Sequence, residues 1–146
     1  GDSGGRPLVD RPLIRRKLEG VDTYLEQIRR KKDPGLRAFG KDRDLQSIVM
    51  FNMIQAVQAC VDIGAHIIGD SGWETPGSQA EIFEILARHN VIKKPLARRM
   101  IKMVGFRNRI VHEYERIDFG IVHDAWRKRL GDIETFCRVV ITRYAL

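Results

Sequence analysis

The run Gly105-Phe106-Arg107-Asn108-Arg109-Ile110-Val111-His112-Glu113-Tyr114 brings a fixed cation, an amide, an imidazole and a phenol into one short stretch of chain. Arg107 stays charged at any ordinary pH and can grip a phosphate with two parallel donors. An imidazole gives and takes protons near neutral pH, which suits His112 to move a proton to or from a hydroxyl. Asn108 can orient His112 or donate to a phosphate oxygen. Together these types fit cleavage of RNA at a ribose 2′-hydroxyl. No acidic pair and no Cys/His set in the sequence suggests a metal site, so a metal-free route without cofactor is expected. A plainer reading stays open, in which His112 only caps a helix end and Arg107 sits in a surface ion pair.

On a helix, Asn108 and His112 are four apart and share a face, and Arg107 and Tyr114, seven apart, share a neighbouring one. Arg107 and His112 stand about 140° apart at roughly 100° per residue, so they meet only if the last turn loosens or the long arginine reaches across. The same segment, residues 93–112, carries Lys93, Lys94, Arg98, Arg99, Lys102, Arg107 and Arg109 with no Asp or Glu. This is either a solvated helix face or a track for phosphates, with Lys102, Arg109, Arg99 and Arg98 as the candidate RNA-binding residues.

Helices must hold these groups. Asp10 and Pro12 predict a helix start, and Ile14, Leu18, Val21, Leu25 and Ile28 draw one apolar stripe that Asp33-Pro34-Gly35 ends. A second helix is expected over Asp44 to Ile68 with Gly69 as its cap. It is apolar around so much of its circumference that it must be central. Ser78-Gln79-Ala80-Glu81 reads as a capping box opening a third helix that stops near Asn90. A fourth begins at Lys94-Pro95, with Leu96, Met100, Met103, Val104 and Ile110 or Val111 inward. A fifth starts at Asp118 and carries Val122, Trp126, Leu130, Ile133, Cys137 and Val140 to the end. No segment alternates like a strand. The expected fold is all-α, an antiparallel bundle of about five helices in one domain over residues 11–146.

The 146 residues carry 26 Lys+Arg against 19 Asp+Glu, formally +7, which favours phosphate-rich partners only weakly. Two cysteines, Cys60 and Cys137, are too few for a disulfide scaffold and read as reduced core residues. The sequence shows neither a membrane span nor a signal peptide, so a cytoplasmic protein without a membrane partner is expected. Residues 1–10 read as a flexible arm or cloning remnant; their Gly1-Asp2-Ser3-Gly4-Gly5 imitates a serine-protease nucleophile loop, but no His/Asp pair precedes it. His66, His89 and His123 read as surface or core residues, Trp126 as core, Trp73 as a loop residue open to a partner contact, and Asp62 as a surface group or the partner of a basic residue.

Arg107 to Tyr114 spells Arg-x4-His-x-Tyr with Asn after the Arg, which resembles the signature of HepT-like toxins in the HEPN superfamily. Arg15-Arg16-Lys17-Leu18, Val61-Asp62-Ile63-Gly64-Ala65-His66-Ile67-Ile68 and Ile117-Asp118 are similar to that family as well. The resemblance implies a homodimer whose two motifs face a shared cleft, and a metal-independent endoribonuclease toxin with Arg107 and His112 catalytic and Asn108 at the polar position beside them. It also implies a cognate minimal nucleotidyltransferase as antitoxin, which silences the toxin by attaching AMP to Tyr114. A non-catalytic HEPN module that binds nucleotides or partners a nucleotidyltransferase is the competing expectation.

Overall fold

A computed structural model describes residues 8–146. Its elements are α1 (Arg11–Arg29), α2 (Leu36–Phe39), α3 (Arg43–Ser71), α4 (Gln79–Arg88), α5 (Lys94–His112), α6 (Phe119–Lys128) and α7 (Leu130–Tyr144). The described chain is all helical, and α3 is the axis against which the other six pack. Residues 1–7 of the expected arm lie outside the described residues; Val9 packs against the core and Asp10 caps α1 by accepting from Leu13 N–H at 3.2 Å.

Local chemistry explains most of the ends. Asp42 accepts from Leu45 N–H at 3.0 Å to open α3, and Asp118 accepts from Gly120 N–H at 2.7 Å to open α6. Ser78 accepts from Glu81 N–H at 3.1 Å, while Glu81 reaches back one residue further than a standard capping box, to Gly77 N–H. Asn90 ends the α4 segment in a left-handed conformation, φ 63°, which its short side chain tolerates. The cap of α3 is Gly72 at φ 72°, not Gly69. Gly69 stays helical and α3 gains a turn, because a left-handed cap needs only one glycine and Gly72 supplies it.

Two apolar clusters account for the seven helices of the described residues, where five were expected. One holds Ile14 to Leu25 of α1, α3 from Ala56 onward, α4, most of α5, and Ile133, Phe136 and Val140 of α7. The other holds Ile28, Phe39, Leu45, Val49, Met50, Met53, Ile110, Ile117, Val122, Ala125 and Trp126. The apolar stripe runs unbroken from Val122 to Val140, yet its first part fills one cluster and its last part the other. The break at Arg129 lets the chain change clusters, with Leu130 touching both. The extra helix α2 is a single turn whose purpose is Phe39, fully buried and tilted against His123 and Trp126 with ring centroids 5.5 and 5.6 Å away. Of the two inward candidates at the end of α5, Ile110 is buried and Val111 is 51% exposed.

By length and hydropathy alone α3 passes for a membrane span, but 56% of that stretch is buried inside the bundle, as for a core helix. Where α3 meets α4, Gly64 has no room for a side chain. A methyl there would lie 2.5 Å from Ile82 Cγ2 and 3.2 Å from Leu86 Cδ1. Gly64→Ala gains about 1 kcal/mol of helix propensity. Against this, overpacking beside a stiff β-branched residue costs about 1–3 kcal/mol, so the variant is expected to melt at lower temperature than the parent in a thermal scan.

Candidate active site

Arg107 sits in the middle of the buried stripe of α5, between Val104 and Ile110, and is only 7% exposed. A guanidinium in that position must find acceptors on other helices, and it does. Nε donates to Asn108 Oδ1 at 2.9 Å, one terminal nitrogen donates to Gln58 Oε1 of α3, and the other donates to Gln79 Oε1, the first residue of α4. All three acceptors are neutral amide oxygens. The charge is therefore fixed in place without being cancelled, and two of the five guanidinium N–H groups are left over. Burial pushes the Arg107 guanidinium below its ordinary range, and the field of Asp62 opposes that push. Asp62 is reached through Gln58, whose amide nitrogen donates to Asp62 Oδ1 at 3.0 Å, and Asp62 in turn pairs with Lys17 at 3.5 Å.

His112 is the last residue of α5 and is exposed, as is Asn108. Asn108 turns its oxygen to Arg107, so it is the guanidinium rather than the imidazole that this amide orients. Tyr114 lies past the helix end, where helical spacing no longer applies. Its hydroxyl donates to Ser47 Oγ of α3 at 3.2 Å, and the residue stays 43% exposed. Helix α5 thus carries a buried, oriented cation five residues before an exposed imidazole at its end, and the phenol beyond it is pinned to α3 at Ser47, eleven residues before the Gln58 that holds Arg107.

None of the four candidate RNA-binding residues bonds to Arg107 or to its three acceptors. Arg98, Lys102 and Arg109 are exposed on the side of α5 roughly opposite Arg107, about 140–180° around. Arg109 pairs with Glu113 at 3.0 Å, and Arg99 with Asp132 at 2.9 Å. Gln58, Gln79 and Ser47 escaped the sequence reading. A signal for two of them existed, since Ser47, Gln55, Gln58 and Asp62 fall at steps of 8, 3 and 4 and draw a polar stripe on an apolar helix.

Elsewhere, Trp73 stacks on His89 with ring centroids 4.0 Å apart. The Glu74 carboxylate accepts from both Arg88 and His89 and is held down to about 2, chiefly by the His89 hydrogen bond. Trp73 is therefore an anchor of its own loop. His123 is buried against Asp33 at 2.8 Å, and Trp126 is core as expected. Cys60 is buried, Cys137 is half-buried, and both are free thiols.

The family described as ribonuclease HepT-like matches residues 21–140. The chain belongs to the HepT-like family. The matched span includes Gln58, Gln79 and the whole Arg107–Tyr114 run. This HepT-like chain is 32% identical over 128 residues to the mRNA nuclease HepT of Shewanella oneidensis, covering 88% of this chain and 96% of that protein. It is 26% identical over 111 residues to the tRNA nuclease HepT of Aphanizomenon flos-aquae, covering 75% of each. Among solved structures, a toxin–antitoxin complex with AMP-PNP superposes with a TM-score of 0.83 at 30% identity, over 90% of this chain and 98% of that one. The tri-AMPylated Shewanella oneidensis HEPN toxin in complex with its MNT antitoxin superposes with a TM-score of 0.82 at 32% identity, over 88% and 96%. The HepT-like helical bundle is thus that of HEPN toxins.

Proposed function

We propose that this protein is a metal-independent endoribonuclease toxin whose Arg107 and His112 cleave RNA and whose partner is a minimal nucleotidyltransferase antitoxin. The observation that carries it is the neutral amide clamp on Arg107. A buried guanidinium held by three uncharged oxygens, with donors to spare, suits an incoming anion; an ion-paired one would not. The relatives' nuclease names and their complexes with antitoxin support the same reading.

In the proposed reaction His112 takes the proton of a ribose 2′-hydroxyl as its oxygen attacks the neighbouring phosphorus. The P–O5′ bond breaks, the 5′-oxygen leaves with a proton, and a 2′,3′-cyclic phosphate remains. Arg107 steadies the charge that grows on the phosphoryl oxygens. Asn108, by accepting from Arg107 Nε, aims the guanidinium. Among the described residues no three His, Cys, Asp or Glu side chains converge as a metal site would require, and the proposed route uses protein groups alone.

One imidazole per chain serves as base or as acid, and a homodimer would supply the second from the symmetric motif. Phe51, 56% exposed one turn after Ser47, and Val111, 51% exposed one residue before His112, flank the motif with apolar surface that such a seam would cover. Transfer of AMP from ATP to the exposed Tyr114 hydroxyl, releasing pyrophosphate, would add bulk and negative charge at the end of α5 and oppose RNA there.

The purified protein is expected to cut a single-stranded RNA in the presence of a chelator, leaving a 2′,3′-cyclic phosphate and a 5′-hydroxyl. The DNA of the same sequence, which lacks the attacking group, should stay whole. Mass spectrometry of the fragments checks this. Cleavage that requires an added metal, or that proceeds equally on DNA, overturns the mechanism.

A further inference from the structure

A groove between α1 and α3, of about 410 Å³, has no part in the reaction just described. Its walls include Arg16, Lys17, Gly20 and Tyr24 of α1 and Gln55, Gln58 and Asp62 of α3. It adjoins the clamp through one amide: Gln58 holds Arg107 with its oxygen and donates to Asp62 in the groove with its nitrogen. A group in the groove and a phosphate on Arg107 would therefore be neighbours along one strand.

The lining has the chemistry of a nucleotide subsite. Tyr24 is half-buried, its ring packed against the main core, and lies against the bare backbone of Gly20, where a Cβ would meet Tyr24 Cε2 at 4.0 Å. That gives the groove an aromatic wall held rigid from behind. Gln55, half-buried, offers one amide donor–acceptor pair, the equipment for a base edge, and makes no side-chain hydrogen bond among the described residues. Lys17 is committed to Asp62, but Arg16 is exposed with no ion-pair partner among the described residues, so its charge is available to a backbone phosphate. The volume lies within the range of small-ligand pockets.

We infer that the α1/α3 groove binds the nucleotide next to the scissile phosphate of single-stranded RNA, with the base on Tyr24, its edge at Gln55 and its phosphate at Arg16. This rests on the reading of Arg107 as the cleavage-site cation. It selects unpaired RNA, since only an unstacked base can enter the groove.

The test uses steady-state cleavage of a short labelled oligoribonucleotide by the full chain. Tyr24→Ala is expected to raise KM roughly ten-fold or more, the loss of one stacked base, with kcat little changed. Tyr24→Phe keeps the ring and restores KM. Because Tyr24 also touches the core, Arg16→Ala and Gln55→Leu carry the decision. Arg16→Ala should raise KM and flatten its salt dependence. Gln55→Leu should alter base preference at the nucleotide beside the cut, read by sequencing fragment ends from a randomised substrate. If wild type cleaves, and these two variants keep its KM, salt slope and base preference, the groove assignment fails alone. If wild type does not cleave, or Arg107→Ala cleaves as well as wild type, the parent reading fails and takes the groove with it.

Discussion

His112→Ala lowers RNA cleavage by about 10²–10⁴-fold, the range a general acid or base contributes, and leaves the melting temperature nearly unchanged. The two halves of this expectation come from one observation. The imidazole stands exposed at the last residue of α5, with no side-chain hydrogen bond among the described residues, so little in the fold depends on it. A helix-capping histidine would show the reverse pattern, a loss of about 0.3–1 kcal/mol in stability and no kinetic effect. Arg107→Ala also stops cleavage but is the less clean experiment. It removes a buried side chain from α5 and frees the Gln58 and Gln79 oxygens, which are partly open to water, so stability falls together with activity. Single-turnover cleavage set beside a thermal melt of His112→Ala separates the two roles. Wild-type turnover in that variant removes His112 from the chemistry.

Gln79→Glu raises stability and lowers cleavage on the order of 10²-fold, the size of effect seen when one charge-stabilising donor is lost from an oxyanion site. The substitution changes an amide to a carboxylate with almost no change of shape. Residue 79 opens α4, where a negative charge is favoured by the helix dipole by about 0.3–1 kcal/mol. The new carboxylate also accepts from the Arg107 nitrogen that Gln79 holds, so the guanidinium stays in place but its charge is cancelled. Opposite signs in a thermal melt and in kcat/KM identify charge, not position, as what the clamp preserves. A Gln79→Glu variant as active as the parent would show that Arg107 does not meet an anion. The same pair of amides explains why a simple surface ion pair is the wrong description of Arg107.

The helices were legible because their signals are local. Ile14 to Ile28 spell a stripe, Asp10, Ser78 and Asp118 are caps within three residues of the N–H they satisfy, and Asn90 stops α4 by its own conformation. The continuous spacing from Val122 to Val140 concealed the break at Arg129, because periodicity records that a face is buried and not which cluster buries it. Helix α2 was missed since a single turn has no period; only the space beside His123 and Trp126 calls for Phe39.

The reactive residue types and their order, Arg107, Asn108, His112 and Tyr114, are written in the chain and could be read there. Their relations could not. The partners of Arg107 stand 49 and 28 residues away, on helices that meet it only after packing, and Tyr114 leaves α5 to reach a serine 67 residues earlier. The lysines and arginines that make residues 93–112 so basic turn out to lie mostly on the far side of the helix from the buried guanidinium. A side chain announces its chemistry through its own atoms. Whether a charge is cancelled, held or left free depends on atoms that the chain supplies from a distance, and only the folded arrangement of α3, α4 and α5 brings those together.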